Sequence, residues 1–349
     1  MTPAEARALF PVLERLAYLN AGTFGPLARV TADAVRAQLD AELEHGRFGK
    51  EYFERMLALR TEARAGLGSL VGAPPELVSL TGSTTDGCNI VLAGLDLRPE
   101  DEIVTTREEH FGLLGPVYAS GARVVVVDAE PEAILAAVTP RTRLLALSQV
   151  LWTTGRVLPV RELREQTGVP VLVDGAQSVG AIPVDAGGLD FLTISGQKWL
   201  CGPDSTGGLV VADPERLRVA RPSYFSQTAY EETGRFEPAL GAARFDPGWI
   251  ATASLAGLVA ALELPPEWRF VRAAEQTARC RQLVAPFADV VQGDATLVAF
   301  RAEDPPALVA TLFDAGVVVR DPPGTGLVRV SCGWWTNEDD LDRLVSVLR

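Results

Sequence analysis

The sequence predicts an α/β protein whose central sheet is mostly parallel and doubly wound, accompanied by a smaller α+β domain. Between residues 78 and 211 of the 349-residue chain, short β-branched runs alternate with helical segments, and this βαβα order produces parallel strands. After a proline pair at 265–266 the pattern changes, and two strands follow each other directly near the end of the chain. We therefore expect a large domain over residues 17–264 and a small domain built from 1–16 and 265–349.

The individual elements are predicted from the period of their apolar residues. Residues 1–16 have the pattern of a short amphipathic helix, and residues 31–68 that of two helices separated by a break at 45–49. Further strands are expected at 78–81, 102–106, 122–128, 143–150, 171–173, 191–194, 207–213, 296–300, 317–320 and 327–332, and further helices from about Asp86 and at 111–119, 131–138, 160–167, 251–263, 267–284, 305–315 and 336–348. The strand at 207–213 is a candidate for an antiparallel member at one side of the sheet, and residues 214–250 have no regular pattern.

Composition and charge narrow the classes of function. The chain is 47% hydrophobic and 22% charged, as ordinary globular proteins are, and its net charge of −13 argues against nucleic acid or an anionic membrane as a partner. We see no signal peptide and no apolar run of the ~20 residues that a membrane span needs. Two histidines and four scattered cysteines (Cys88, Cys201, Cys280 and Cys332) offer no metal-binding pattern. We therefore expect a cytoplasmic protein with reduced thiols and no bound metal.

The most informative candidate residue is a lysine. Of the 32 lysine and arginine residues, only Lys50 and Lys198 are lysine, and Lys198 lies in a glycine-flanked apolar stretch after a predicted strand. A lysine amine can lose its proton and form an imine, whereas a guanidinium cannot. We interpret Lys198 as a covalent binding group.

Two neighbouring strands would bring further polar groups to the same edge of the sheet. One strand ends in Asp174, with Gln177 just beyond it, and the other ends near Ser195, which is followed by Gln197 and Lys198. Ligands of parallel α/β sheets bind at the carboxyl ends of the strands. We expect a carboxylate, two amides, a hydroxyl and an amine to converge there.

These groups suit a pyridine-ring phosphate ester held as an imine. Such a cofactor needs an amine, an anion beside the ring nitrogen, a phosphate cradle and a flat group over the ring. Lys198 and Asp174 would supply the amine and the anion, and Gln177 could donate to the phenolate oxygen of the ring. His110 follows another predicted strand, where a neutral imidazole could stack on the ring and move protons.

Two further sets of residues suit anions. The segment GSTTDG at 82–87 lies between a strand and a helix, so that its backbone N–H groups could bind the phosphate with help from Ser195 and Gln197. Arg320 and Arg329 lie in or at the end of late strands, where one of them could hold a substrate carboxylate. Composition alone does not choose between these two arginines.

Four motifs together resemble those of the class V aminotransferase group of fold-type I pyridoxal-phosphate enzymes. They are STTDGCN at 83–89, DGAQ at 174–177, SGQKWLCGP at 195–203 and VRVSCGWWTNEDDLD at 328–342, and the resemblance spans essentially the whole chain. The group includes cysteine desulfurases, selenocysteine lyase, isopenicillin-epimerase-like proteins and kynureninase. The local sequence is most similar to that of the cyst(e)ine C–S lyases.

The resemblance implies a fold, a cofactor and roles for individual residues. It implies the fold-type I architecture, pyridoxal 5′-phosphate as cofactor, and a homodimer whose subunits both line each site. The resemblance implies that Lys198 forms the imine, that Asp174 pairs with the ring nitrogen and that Gln177 contacts the phenolate oxygen. It implies that His110 stacks on the ring and that the phosphate is bound by Thr84, Thr85 and Ser195. The substrate carboxylate would be bound by Arg329, with Arg320 as a second candidate, and the loop from Asn20 to Thr23 would close on the substrate.

The chain departs from the family pattern at four places. Gln197 stands where most members have the histidine before the lysine, although an amide can still donate to phosphate. Trp152 replaces an asparagine that contacts the cofactor in many desulfurases, and Trp249 replaces a threonine that reaches the phosphate of the partner subunit. The segment RDPPGTGL at 320–327 is short and lacks the nucleophilic cysteine of desulfurases. A desulfurase that forms a persulfide on its own loop is therefore disfavoured.

We expect an enzyme that performs β-elimination on cysteine- or cystine-like amino acids. The alternatives are an aminotransferase, an epimerase, a desulfurase without the loop cysteine, and a non-catalytic family member that binds a ligand. A nucleotide-binding Rossmann protein is excluded because no GxGxxG follows the first strand of the sheet. The side chain of the substrate stays open at this point.

Overall fold

A computed structural model describes residues 1–232 and 234–349 of the chain. The strands are β1 (Ala17–Tyr18), β2 (Val78–Thr81), β3 (Glu102–Thr106), β4 (Arg123–Val127), β5 (Thr142–Ser148), β6 (Val171–Asp174), β7 (Phe191–Ser195), β8 (Gly207–Val211), β9 (Val290–Val291), β10 (Leu297–Arg301), β11 (Val317–Val318) and β12 (Leu327–Ser331). The helices are α1 (Pro3–Ala8), α2 (Arg29–His45), α3 (Gly49–Leu70), α4 (Thr84–Gly94), α5 (Phe111–Ala119), α6 (Pro131–Ala137), α7 (Val160–Thr167), α8 (Thr252–Leu262), α9 (Arg269–Val284), α10 (Pro305–Asp314) and α11 (Glu338–Leu348).

The central sheet has seven strands in the order β2-β8-β7-β6-β5-β3-β4. The five strands from β7 to β4 are parallel, and β8 lies antiparallel between β7 and β2. This arrangement confirms the mostly parallel sheet and the antiparallel strand at one side. Pairing in register places Ser148 beside Asp174 at the carboxyl ends of β5 and β6.

Helices cover both faces of this sheet. Side chains of β6 alternate between two separate apolar clusters, with Val171 and Val173 in the first and Leu172 in the second. Helices α3 and α8 contribute to the first cluster, and α4 and α5 to the second. A strand buried on both faces needs apolar residues throughout, which is why β6 and β7 read as continuous apolar runs in the sequence.

The C-terminal part forms a second, smaller unit of structure. Strands β9, β10 and β12 make an antiparallel sheet in the order β12-β10-β9. Strand β1 pairs in parallel with β11, although the expected division assigned β1 to the large domain. The division itself stays a prediction; the pairing means that the chain enters the large sheet only after passing through the smaller unit.

The loop after β1 contacts both parts of the molecule. Asn20 forms a bridge with Ser331 of β12, and the N–H of Gly22 donates to Ser331 Oγ at 3.2 Å. The carbonyl oxygen of Gly22 accepts from Gln177 Nε2, beyond the end of β6, at 2.7 Å. The loop therefore lies where the end of the large sheet meets the small sheet.

Residues 214–250 contain short 3₁₀ turns and no long element among the residues described. Their anchor is Asp246, whose buried carboxylate forms ion pairs with Arg60 and Arg64 of α3 at 2.9 and 2.7 Å. Asp246 also accepts from Ser79 Oγ at 3.1 Å and from the N–H of Leu80 at 3.0 Å, both in β2. One carboxylate thus ties this irregular segment to a helix and a strand. Within the described ranges, none of the helices combines the length and apolarity needed to span a bilayer.

Candidate active site

The predicted site residues gather at the carboxyl edge of the central sheet. Asp174 ends β6, and Ser195 ends β7. The Lys198 amine lies within electrostatic range of Asp174, Arg320 and Arg329. The imidazole of His110 lies within electrostatic range of the same three groups and of Lys198. The structure therefore brings together residues that are far apart in the chain.

Lys198 is half-buried, and its amine has no partner in the described parts of the chain: no hydrogen bond or ion pair reaches it. Burial is the main cause that lowers the pKa of the amine to about 8; Asp174 acts in the opposite direction, and Arg329 and Arg320 contribute smaller lowering effects. Burial disfavours the charged form of a lysine. A substantial fraction of Lys198 is therefore neutral near physiological pH and able to act as a nucleophile or a base.

Asp174 offers one free carboxylate oxygen at the bottom of the site. Its Oδ1 accepts from the N–H of Ala176 at 2.9 Å and from Thr193 Oγ1 at 3.4 Å. Its Oδ2 accepts no hydrogen bond from the residues the structure describes, although the residue is buried. A buried carboxylate with an open acceptor suits a cationic N–H donor.

Gln177 is oriented by its neighbours. Its Oε1 accepts from the indole Nε1 of Trp199 at 3.0 Å, and its Nε2 donates to the carbonyl of Gly22 at 2.7 Å. Because an indole N–H can only donate, this contact determines which end of the amide is oxygen. The second N–H of Nε2 is left for another acceptor.

His110 caps the N-terminus of α5 and is held in one neutral form. Its Nδ1 accepts from the N–H of Gly112 at 3.0 Å, which leaves the proton on Nε2. Burial is the main cause that lowers the pKa of the imidazole to about 4, and the charge of Lys198 contributes to this fall. The indole of Trp152 meets the imidazole edge-on, with ring centroids 5.0 Å apart and planes at 86°. His110 can therefore present a flat, uncharged ring.

The first turn of α4 has free N–H donors that can bind an anion. Ser83 caps the helix by accepting from the N–H of Asp86 at 3.1 Å. The backbone N–H groups of Thr84 and Thr85 have no acceptor among the described residues. The negative charge of Asp86 is countered by Arg221, at 3.2 Å. Free N–H groups at a helix N-terminus attract phosphate.

The remaining phosphate candidates lie on the next strand. Ser195 Oγ donates to Gln197 Oε1 at 2.8 Å, so the two side chains are held together at the end of β7. This contact uses the amide oxygen of Gln197 and leaves its NH₂ group as a donor. A Cβ on Gly112 would come within 2.6 Å of Thr85 Oγ1, so glycine is needed there for α5 to approach α4.

Two guanidinium groups meet on one hydroxyl. Arg329 donates to Thr23 Oγ1 at 3.1 Å and Arg320 donates to the same atom at 3.2 Å. Thr23 in turn donates to Asn20 Oδ1 at 2.8 Å. Arg329 is only 1% exposed and also donates to the carbonyl of Trp152 at 2.7 Å.

The two arginines lack a counter-ion in the described part of the structure. No carboxylate pairs with Arg320 or Arg329, and the Nε of Arg329 has no acceptor at all. Burial and the adjacent Arg320 lower the pKa of Arg329 to about 9, which still leaves it protonated at neutral pH. Buried cations require a paired anion. The arrangement is therefore suited to a ligand carboxylate.

Sequence reasoning missed two residues of this site, Trp199 and Glu109, and one contact of a residue that it did name, Trp152. Trp199 orients Gln177, the carbonyl of Trp152 holds Arg329, and Glu109 lies buried immediately before His110. The acidic pair at 108–109 after a predicted strand was a visible signal for Glu109. The two tryptophan contacts join segments that local pattern does not connect.

Comparison with known proteins agrees with this geometry. The sequence model of the family described as aminotransferase class-V matches residues 20–303. The chain belongs to this family. Isopenicillin N epimerase of Streptomyces clavuligerus is 30% identical to this chain over 398 aligned positions, which cover 99% of this chain and 97% of that protein. Cysteine desulfurase CsdA of Escherichia coli is 28% identical over 99% of this chain and 96% of its own length.

Solved structures give the same answer for the fold. A complex between the cystine C–S lyase C-DES and its reaction product, cysteine persulfide, superposes with a TM-score of 0.92 at 28% identity, over 97% of this chain and 98% of that one. A mutant of C-DES with glycine covalently linked to its PLP cofactor also superposes with a TM-score of 0.92. The predicted family and the fold-type I architecture are confirmed.

Proposed function

We propose that this member of the class V aminotransferase family is a pyridoxal-phosphate-dependent C–S lyase that performs β-elimination on cysteine- or cystine-like amino acids. The observation that carries the proposal is the unpaired amine of Lys198, whose pKa lies near 8, in range of a buried Asp174. The structural similarity to a protein described as a cystine C–S lyase supports this choice of substrate class.

The residues present fit the cofactor. Lys198 would hold its aldehyde covalently, and the open Oδ2 of Asp174 would accept from the ring nitrogen. The free N–H of Gln177 would donate to the phenolate oxygen, and the imidazole of His110 would cover the ring. Phosphate would bind at the free N–H groups of Thr84 and Thr85, with Ser195 and Gln197 as further donors.

Pyridoxal phosphate, when bound, supplies an electron sink that labilises the bonds to the α-carbon of an amino acid. Arg329 would bind and orient the substrate carboxylate, with Arg320 beside it and the loop from Asn20 to Thr23 closing over both. Lys198, once its amine is free, would take the α-proton, because its pKa near 8 leaves a basic fraction at neutral pH. The carboxylate of Asp174 would hold the ring nitrogen and balance its positive charge.

An epimerase is the second candidate. The supporting observation is the 30% identity with an isopenicillin N epimerase over nearly the whole of both chains. Epimerisation and elimination both begin with removal of the α-proton. In epimerisation a proton then returns to the α-carbon from the other face, whereas in elimination the group on the β-carbon leaves. An aminotransferase differs from both because the amino group of the substrate stays on the cofactor. A shift in the absorbance of the cofactor on mixing with an amino acid would reveal this.

A desulfurase that uses its own cysteine is disfavoured by the positions of the thiols. All four cysteines are free and buried, and none lies in the loop between Arg320 and Arg329. Burial raises the pKa of the Cys201 thiol, nearest to Lys198 in sequence, far above neutrality, where thiols are poor nucleophiles.

We further propose that the enzyme is a cytoplasmic homodimer. Exposed aromatic side chains cluster in the irregular segment, where Trp249 is 65% exposed and stacks on Tyr224 with ring centroids 5.8 Å apart. Such patches on a soluble protein are typical of protein interfaces. Four reduced thiols support the cytoplasm as the location.

The test is a pair of lysine variants. Lys198→Ala should lose the yellow colour of the bound cofactor and all pyruvate production from cystine or cysteine, whereas Lys50→Arg should keep both. A coloured, fully active Lys198→Ala variant would contradict the proposal. A coloured wild type that forms no pyruvate but racemises an amino acid would favour the epimerase, and a wild type without colour would favour a non-catalytic family member.

A further inference from the structure

Glu109 is a buried carboxyl group that the proposed mechanism does not use. It lies between β3 and α5, immediately before His110, and is 3% exposed. No cationic side chain pairs with it in the described ranges of the chain. A buried carboxylate without a cation is costly, so its presence beside the site calls for a function.

Three hydrogen bonds hold this carboxyl group. Its Oε1 accepts from Thr106 Oγ1 at 3.0 Å, and its Oε2 accepts from Ser148 N at 3.0 Å and from Ser148 Oγ at 2.5 Å. Thr106 ends β3 and Ser148 ends β5. Glu109 is therefore held rigidly at the edge of the sheet that forms the site.

The same contacts bring Glu109 close to Asp174. Ser148 is the register partner of Asp174 across β5 and β6, so the two carboxyl groups flank one pair of strand ends. Burial is the main cause that raises the pKa of Glu109 to about 7; the hydrogen bonds from Ser148 and Thr106 act in the opposite direction, and the charge of Asp174 adds a smaller rise. Cys88 of α4 lies within electrostatic range of both carboxyl groups, and burial, with these charges, raises the pKa of its thiol well above the ordinary value.

We propose that Glu109 supports Asp174 electrostatically, its ionised carboxylate adding a second negative charge at these strand ends that stabilises positive charge on the bound cofactor. The inference rests on the proposed function, since it requires that pyridoxal phosphate binds. In the empty site the two negative charges disfavour each other. A protonated ring nitrogen of the bound cofactor would favour the ionised form of both carboxyl groups. Cofactor binding should therefore draw Glu109 into its ionised form.

A neutral variant separates charge from position. In Glu109→Gln the amide oxygen can accept from both donors of Ser148, and the amide NH₂ can donate to the hydroxyl of Thr106, which is able to accept instead. The contacts are kept and only the charge is lost. The matched control is Glu102→Gln, the same substitution of a buried residue at the opposite end of β3.

The experiment is a pH titration of the yellow absorbance of the purified, cofactor-loaded proteins. Loss of a nearby anion should lower the pKa of the lysine–cofactor link in Glu109→Gln by about half a unit or more, while Glu102→Gln should match the wild type. An unchanged pKa in a coloured Glu109→Gln variant, or an equal fall in both variants, would overturn the inference and leave the proposed function intact. A wild type that takes up no cofactor would overturn both.

A second measurement needs no variant. Infrared difference spectra of the wild type at pH 6.5 should show loss of a buried, protonated carboxyl band when pyridoxal phosphate is added. A spectrum without that loss, in a protein that turns yellow, would overturn the inference.

Discussion

Lys198 and His110 have lowered pKa values for the same physical reason. Each is a base whose protonated form carries a charge, and burial is the largest cause of the shift in both. The consequences differ, because Lys198 is brought to about 8, where it can exchange protons, and His110 to about 4, where it stays neutral. One residue can act as a base while the other serves as a flat, uncharged neighbour.

The lowered pKa of His110 predicts how stability responds to acid. Its folded pKa lies below its unfolded value, so the unfolded chain binds more protons between about pH 6.5 and 4 and stability falls as pH falls through that window. In urea unfolding of the cofactor-free protein, His110→Gln should lose less free energy of unfolding than the wild type over this range. Equal losses would show that His110 does not titrate as its environment indicates.

Glu109 predicts the opposite slope over an overlapping range. Its folded pKa is raised, so the folded protein binds more protons between about pH 4.5 and 7 and this contribution to stability is lost as pH rises. Glu109→Gln should therefore gain stability relative to the wild type as pH rises through that window. The same urea series measures it, and a difference that stays constant with pH would contradict the assignment.

Arg329 is the residue on which substrate recognition should depend. Its replacement in Arg329→Gln removes a charged, forked donor from a buried position, and kcat/KM for the amino acid should fall about a hundredfold or more, mainly through KM. The colour of the bound cofactor should be unchanged. Arg301→Gln, on the neighbouring strand β10 but exposed, is the control and should leave KM as it is. An Arg329→Gln variant with the KM of the wild type would refute the role.

At the scale of elements, the site depends on where short strands end. Strands β6 and β7 are only four and five residues long, yet their register places Asp174 and Ser195 at one edge. The N-termini of α4 and α5 face the same edge, as the close approach of Gly112 to Thr85 shows. Each element brings one or two functional groups, and none of them makes a site alone.

Asp246 is expected to hold the irregular segment 214–250 against α3 and β2. Asp246→Ala would leave the buried Arg60 and the half-buried Arg64 without a carboxylate partner, and breaking a buried pair in this way costs about 3–5 kcal/mol. Chemical denaturation of the purified variants measures this loss. Asp33→Ala, which breaks the exposed pair with Arg36, should change stability by less than about 0.5 kcal/mol. Equal effects of both substitutions would contradict the importance of burial here.

At the scale of the whole molecule, the proposed dimer leads to a prediction about mass. The wild type should sediment at about twice the 37.3 kDa of the chain, since exposed aromatic patches such as that of Tyr224 and Trp249 favour association. A double variant, Tyr224→Ala with Trp249→Ala, should dissociate at higher concentration than the wild type. Phe313→Ala, equally exposed at 62% but on α10, should not. A monomeric wild type would reject the dimer.

Several features of the fold could be read from local pattern. The βαβα order, the helix at 160–167 and the strand at 102–106 were predicted with the bounds that the structure has, because the apolar period of a segment depends on its own residues. The strand predicted at 207–213 covers Gly207–Val211 in the structure and is antiparallel to both of its neighbours. The pairing of β1 with β11 could not be read, since it joins segments some three hundred residues apart and each is only two residues long.

The sequence by itself determined the family, the sheet and the chemical types at its edge, because strand ends, helix starts and a scarce lysine are local facts that the rules of parallel sheets convert into position. Only the tertiary structure decided that two arginines share the hydroxyl of Thr23 without a counter-ion, and that Glu109 lies buried beside Asp174. Those arrangements depend on desolvation and on contacts between distant segments. A proton's preference for a site is determined by everything that surrounds it in space, and a linear pattern does not contain that information.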